Sequence, residues 1–285
     1  MLERTATTLR SLLARLRRAA DEDAIAPAPT RTLGEDAMRG LELEVQPFRD
    51  NATAEDLFVD DAVEMQLNVL AQHLRDGQML PLLKGEAGSG KTSLLIQLMA
   101  RTGEEFHFFV VRAVANLTAE RIIVDMLRVM IRPVPEDTAQ CFRQLARQLR
   151  ELVADDRPAA LVIDDAHLLA DHELDHLLTA ADSLRNALGG RFRLLLAADP
   201  GIELRLPSMS SEQLDRGQVS AANVRPLARA RIGPYLEHRL EVAGFRGLPP
   251  FDDEALDRIH AAGGGLPRGV EAAAAGELNE RWSDW

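Results

Sequence analysis

The sequence predicts an α/β fold: a parallel sheet with helices on both faces, followed by a small all-α lid domain. Three observations carry that expectation. From Val45 onward, short apolar runs alternate with helical patterns. One of those runs leads into a glycine-rich loop that opens a helix. After Pro226 the strand signal stops and three helical patterns follow. Short strands alternating with helices give a parallel sheet covered on both faces.

Residues 1–20 precede this pattern. Leu2, Ala6, Leu9, Leu13, Leu16 and Ala20 recur at spacings of four and three, which is a helical stripe. Arg4, Arg10, Arg15, Arg17 and Arg18 stand there against Glu3 alone, a net +4. A basic amphipathic helix of this kind docks on its own protein, on a partner helix, or on an acidic surface such as lipid. Residues 21–43 read as a linker, stiff and extended around Pro27 and Pro29 and without periodicity.

The α/β core is expected over residues 44–226. Its first helix covers residues 62–74, with Val63, Leu67, Leu70 and Leu74 on one face. Strands are expected at residues 80–84, 106–114, 159–164, 192–198 and, more weakly, 218–224. Helices fill the intervals at 119–131, 138–153 and 171–188. The lid spans residues 227–285, with helices at 229–243, 252–262 and 267–282.

Gly85-Glu86-Ala87-Gly88-Ser89-Gly90-Lys91-Thr92 fits G-x-x-x-x-G-K-[ST]. It sits between an apolar run and a helical one, the strand–loop–helix context that gives the motif its meaning. The glycines let the backbone approach phosphate oxygens and turn several N–H groups inward at a helix N-terminus. Lys91 is expected to reach the β- and γ-phosphates of ATP, and Thr92 to hold Mg²⁺ through its hydroxyl. Residues 85–93, Ser93 included, are therefore the expected phosphate contacts.

Bulk composition limits the alternatives. The chain has 285 residues with 46% hydrophobic, and no apolar stretch approaches the roughly 20 residues of a membrane span. One cysteine, Cys141, excludes an intramolecular disulfide and fits a reducing cytoplasm. No secretory signal peptide is expected at the start. The net charge of −12 repels nucleic acid and anionic lipid on average, so such binding requires a local patch.

Leu161-Val162-Ile163-Asp164-Asp165 is an apolar strand that ends in two carboxylates. Asp164 is placed to orient Mg²⁺ and its waters. Asp165 stands where a carboxylate could orient or deprotonate the attacking water. His167 reads as a turn or helix-start residue without a catalytic role. Asp199, at the end of the fourth strand, either contacts the attacking water or γ-phosphate, or simply begins the turn with Pro200. In Gly263-Gly264-Gly265-Leu266-Pro267-Arg268, glycines end one helix and Pro267 begins the next. Arg268 then sits in a helix's first turn, where a cation is disfavoured unless a phosphate faces it. The alternative is an ion pair with Asp252 or Glu271.

With these pieces in place, residues 45–282 resemble an AAA+ P-loop NTPase of the ExeA/GspA (general secretion pathway protein A) type. The ATPase modules of DamX-like envelope proteins are similar. The resemblance lies in Gln46-Pro47-Phe48, in the phosphate loop, in residues 161–169 as the Walker B strand, and in residues 194–203 as the sensor-1 strand and turn. It is most specific in Arg225-Pro226-Leu227, Tyr235-Leu236-Glu237-His238-Arg239-Leu240, Ala243-Gly244, Phe251, Ala255-Leu256 and the run through Arg268. The resemblance implies that Lys91 and Thr92 are the Walker A pair, Asp164 the metal acid, Asp199 the sensor-1 residue and Arg268 the sensor-2 arginine. It also implies an arginine acting on a neighbouring subunit, with Arg216 as first candidate and Arg205 as alternative. Where the family commonly has Glu, this chain has Asp165, one methylene shorter.

The resulting expectation is an ATPase that acts as an ATP-driven switch or assembly factor. It is expected to associate with itself in ATP, in the cytoplasm or at the periphery of the inner membrane. A protein client or envelope partner is implied by the resemblance alone. Two alternatives stand beside it: an ATP-binding scaffold with little turnover, and a regulator acting on DNA like transposition helper ATPases. DNA is the less favoured partner on charge.

Overall fold

The computed structural model describes residues 31–49 and 53–283. The basic stripe expected over residues 1–20 lies outside the described residues. Strands β1 (Leu80–Lys84), β2 (His107–Arg112), β3 (Ala159–Asp164), β4 (Phe192–Ala198) and β5 (Val219–Asn223) form one parallel sheet. Their order is β2-β3-β4-β1-β5. The three inner strands are buried along their whole length. Continuous apolar runs belong in such positions, because helices cover both faces of the sheet.

The helices are α1 (Glu35–Gly40), α2 (Asp61–Asp76), α3 (Lys91–Thr102), α4 (Ala119–Met130), α5 (Thr138–Leu152) and α6 (Asp171–Ala187), the short α7 (Ile202–Arg205) and α8 (Glu212–Asp215), and then α9 (Arg229–Val242), α10 (Asp253–Gly263) and α11 (Pro267–Arg281). Successive strand residues point to opposite faces, so each strand feeds two cores. Leu83, Val162 and Leu195 meet Leu67, Leu70, Leu94 and Leu98 of α2 and α3. Leu82, Leu161 and Leu196 meet Ile122, Leu145 and Leu177 of α4, α5 and α6. Side-chain caps start several helices: Asp60 accepts from the Val63 amide, Thr118 from Arg121, and Asp252 from Ala255.

A third core joins α9, α10 and α11 through Leu236, Leu240, Ile259, Val270 and Ala274. Leu33, Ala37, Leu41 and Phe48 are buried in it too. This corrects the linker expected over residues 21–43 across its described part, since α1 is helical and its apolar side is packed. Six residues are too few to display a period, and the helix is held by tertiary burial. Gln46 fastens the segment by bonding both the amide and the carbonyl of Leu33, at 2.8 and 2.9 Å. Residues 33–48 therefore pack with the helical region, including the part expected to begin the α/β core.

Candidate functional site

Parallel strands deliver their C-terminal ends to one edge of the sheet, and the register decides which residues meet there. Lys84 lies opposite Ala198, so the loop after β1 faces Asp199 after β4. Arg112 lies opposite Asp164, which sets the end of β2 beside the two acids of β3.

The loop after β1 turns through left-handed glycines, Gly88 at φ 78° and Gly90 at φ 100°. Lys91 begins α3 and is only 5% exposed. Its ammonium folds back to the Gly85 carbonyl at 2.7 Å, the Glu86 carbonyl at 3.1 Å and Asp199 Oδ1 at 2.9 Å. Ser89 Oγ is buried without a hydrogen-bond partner among the described residues. Glu86 and Ala87 are exposed at the mouth of the loop, and Ser93 is half-buried in the first turn of α3. A buried unpartnered hydroxyl, inward-turned glycines and a lysine at a helix N-terminus fit phosphate oxygens.

Thr92 Oγ1 donates to Asp164 Oδ2 at 2.6 Å. Asp164 is fully buried, and burial, then the Asp165 carboxylate, push its carboxyl above the ordinary range against the hydrogen bond from Thr92. A hydroxyl and a carboxylate are the hard oxygen donors that Mg²⁺ prefers. No group of three or more His, Cys, Asp or Glu able to hold a metal occurs among the described residues. Two oxygen donors can serve Mg²⁺, which usually takes one or two protein ligands and completes its shell with phosphate oxygens and water.

Asp165 takes a left-handed conformation, φ 54°, which aspartate tolerates better than most residues. Its Oδ2 accepts from Arg112 Nε at 2.8 Å, so the acid next to the expected water position is held in an ion pair. Arg112 escaped notice in the sequence. Its only signal is a charge ending an apolar strand, which has meaning once the register sets it opposite Asp164.

Asp199 bridges Lys91 and His167. The Asp199 amide donates to His167 Nδ1 at 3.3 Å, and His167 Nε2 is 3.4 Å from Asp199 Oδ2. Arg205 braces the same turn: it bonds the carbonyls of His167 at 2.8 Å and Leu169 at 2.5 Å, and Asp171 at 2.6 Å. Its guanidinium is thus spent within its own chain.

The helical region closes over the loop. The Arg268 amide donates to the Gly88 carbonyl at 3.3 Å, and a Cβ on Gly88 would sit 2.9 Å from that of Arg268. The Arg268 side chain makes no hydrogen bond or ion pair among the described residues. Of the acids considered as its partner, Glu271 is taken by Arg31, Tyr235 and Arg239, and Asp252 caps α10. Arg216 lies elsewhere. It precedes β5, whose first residue pairs with the first residue of β1, so it stands at the opposite edge of the sheet. There it is exposed and pairs loosely with Glu212 at 3.4 Å.

Comparisons with known proteins agree with this architecture. Residues 73–206 match the family described as an AAA domain. The chain is 26% identical over 230 residues to general secretion pathway protein A of Aeromonas hydrophila, covering 79% of this chain and 41% of that protein. Among solved structures it is similar to CDC6P of Pyrobaculum aerophilum, with TM-score 0.62, 21% identity, and coverage of 81% of this chain and 65% of that one. It is also similar to a Walker-type ATPase of Pyrococcus abyssi, with TM-score 0.60, 14% identity, and coverage of 84% and 75%. The chain thus spans less than half the length of its curated relative, and the structural likenesses bear on fold alone.

Proposed function

We infer, from an AAA domain at residues 73–206 within an AAA-type P-loop fold, that this chain binds and hydrolyses Mg-ATP as an ATP-driven switch or assembly factor. The observation that carries this reading is the convergence of Lys91, the Thr92–Asp164 pair and the backbone of Arg268 on one glycine loop. Lys91 and the loop amides take the phosphates. Thr92 and Asp164 would hold Mg²⁺, which supplies charge neutralisation of the triphosphate. Asp165 is the acid placed to orient water, and Asp199 stands beside the Lys91 ammonium at the phosphate end. Arg268 supplies a second cation from the helical region.

Beside Lys91 and Arg268, the resemblance implies a further arginine supplied by a neighbouring copy. An arginine donated by a neighbour can contribute about 10³–10⁵ in rate where it operates. Arg216, exposed and far from its own loop, suits donation to a second copy. Light scattering with and without Mg-ATP, together with phosphate release, tests the reading. Mass and specific activity are expected to rise together with protein concentration, and Arg216→Ala to flatten the rise. Activity independent of concentration from a strict monomer would contradict the shared site.

A second reading keeps binding and drops most turnover, leaving an ATP-dependent scaffold. The Arg112–Asp165 ion pair favours it, because that pair must open before Asp165 can address water. The likeness to general secretion pathway protein A supports a client in secretion. Among the described residues no helix is long and apolar enough to cross a membrane. A DNA partner has weaker support, since the net charge is −12.

A further inference from the structure

His167 has no part in the reaction outlined above, yet it touches Asp199, the acid paired with Lys91. One Asp199 oxygen is 2.9 Å from Lys91 Nζ and the other is 3.4 Å from His167 Nε2. His167 Nδ1 accepts from the Asp199 amide at 3.3 Å, which leaves Nε2 facing the Asp199 carboxylate. Several charges on the surrounding elements are paired elsewhere. Arg205 of α7, which bonds the His167 carbonyl, pairs with Asp171 of α6; Arg112 of β2 pairs with Asp165; Lys84 of β1 pairs with Glu203 of α7.

A triphosphate in the loop disturbs this balance. Lys91 cannot serve the β/γ-phosphates fully while it neutralises Asp199, and the freed carboxylate then faces the incoming phosphate charge. We propose that His167 is a charge-compensating positioning residue: when Lys91 leaves Asp199 for the phosphates, the imidazole takes up a proton from solvent and pairs with the Asp199 carboxylate. Protonation sacrifices the long bond from the Asp199 amide. It makes the contact between Nε2 and the carboxylate charge-assisted, and the added phosphate charge favours the imidazolium further. Histidine suits the task because its charge changes near neutral pH.

The sign follows from linkage. A proton bound together with ATP makes affinity fall as pH rises, by up to about tenfold per pH unit when one full proton is taken up. The proposal rests on the nucleotide reading of the loop, and one experiment separates the two. Mg-ATP is titrated calorimetrically into the full chain near neutral pH, in two buffers of different ionisation enthalpy. Wild type is compared with His167→Gln and with Asp199→Asn, which leaves no carboxylate to compensate. The expected result is that wild type takes up more protons per ATP than either variant, by up to about one, and loses affinity more steeply with pH. Equal proton counts in wild type and either folded variant would overturn the role of His167. Absence of ATP binding by wild type would overturn the nucleotide reading itself, and this inference with it.

Discussion

Lys91 Nζ lies 2.9 Å from Asp199 Oδ1, so the cation at the base of the phosphate loop is matched before any phosphate reaches it. On the proposed reading, phosphate binding is an exchange of partners for Lys91 in which Asp199 competes with the ligand. Asp199→Asn removes the competing charge while keeping the size of the side chain. Nucleotide affinity is expected to rise by roughly fivefold, corresponding to about 1 kcal/mol for a partly exposed pair. Equilibrium titration checks this, and weaker binding by the variant would show that Asp199 assists binding.

Gly88 joins the loop to the helical region. It adopts φ 78°, and an added Cβ would lie 2.9 Å from Arg268 Cβ. Gly88→Ala therefore strains the loop by about 1–2 kcal/mol and pushes α11 off it. A loss of ATP affinity by roughly tenfold is expected, while the sheet core keeps its thermal transition. Wild-type affinity in the alanine variant would mean that the helical region does not need to sit on the loop.

Asp165 is a shorter acid than glutamate and is tied to Arg112 at 2.8 Å. Basal turnover is expected below the enzyme median of roughly 10 s⁻¹. Asp165→Glu is expected to raise phosphate release by extending the reach of the carboxylate, and Arg112→Gln by releasing it. If both leave the rate unchanged while Asp165→Ala is fully active, Asp165 has no part in the chemistry.

Much of this was legible in the sequence, and the boundary between legible and hidden is physical. The inner strands and the phosphate loop are local patterns: buried runs such as Leu161-Val162-Ile163, and glycine spacing that the backbone itself demands. β2 came out shorter than expected because apolar residues continue past both of its ends at Phe106 and Ala113. Helix α1 was hidden because six residues show no period and Leu33, Ala37 and Leu41 gain meaning only against α9–α11. The partners of the candidate site residues were hidden for another reason. Arg112–Asp165, Lys91–Asp199 and His167–Asp199 are separated by 53, 108 and 32 residues and depend on strand register, which no local spacing encodes.

Asp60 ties the helical region to the core. It caps α2 through the Val63 amide and accepts both bonds of Arg231 from α9. Burial raises its carboxyl pKa, but the Val63 amide and the Arg231 guanidinium outweigh this and hold it below the ordinary carboxylate range. A lowered folded value contributes stability above the unfolded value of 3.8, and that contribution is lost as pH falls through the folded value. Asp60→Ala is expected to cost about 1–2 kcal/mol at neutral pH and progressively less in acid. Asp60→Asn keeps the cap and loses the ion pair, so it should cost less than alanine. Denaturant unfolding against pH measures both, and equal losses would deny the cap its share.

The decisive test of nucleotide binding at this loop is an equilibrium titration of wild type and Lys91→Ala with a fluorescent ATP analogue in Mg²⁺. Removing Lys91 takes away the ammonium held at the Gly85 and Glu86 carbonyls. A lost charge-assisted contact is worth about 1.5–3 kcal/mol, or roughly 10–150-fold in affinity. Wild type is predicted to bind and the variant to bind weaker by at least that lower factor, with its fold intact by circular dichroism. Equal affinity in the two proteins would contradict the assignment of Gly85 to Thr92 as the phosphate site.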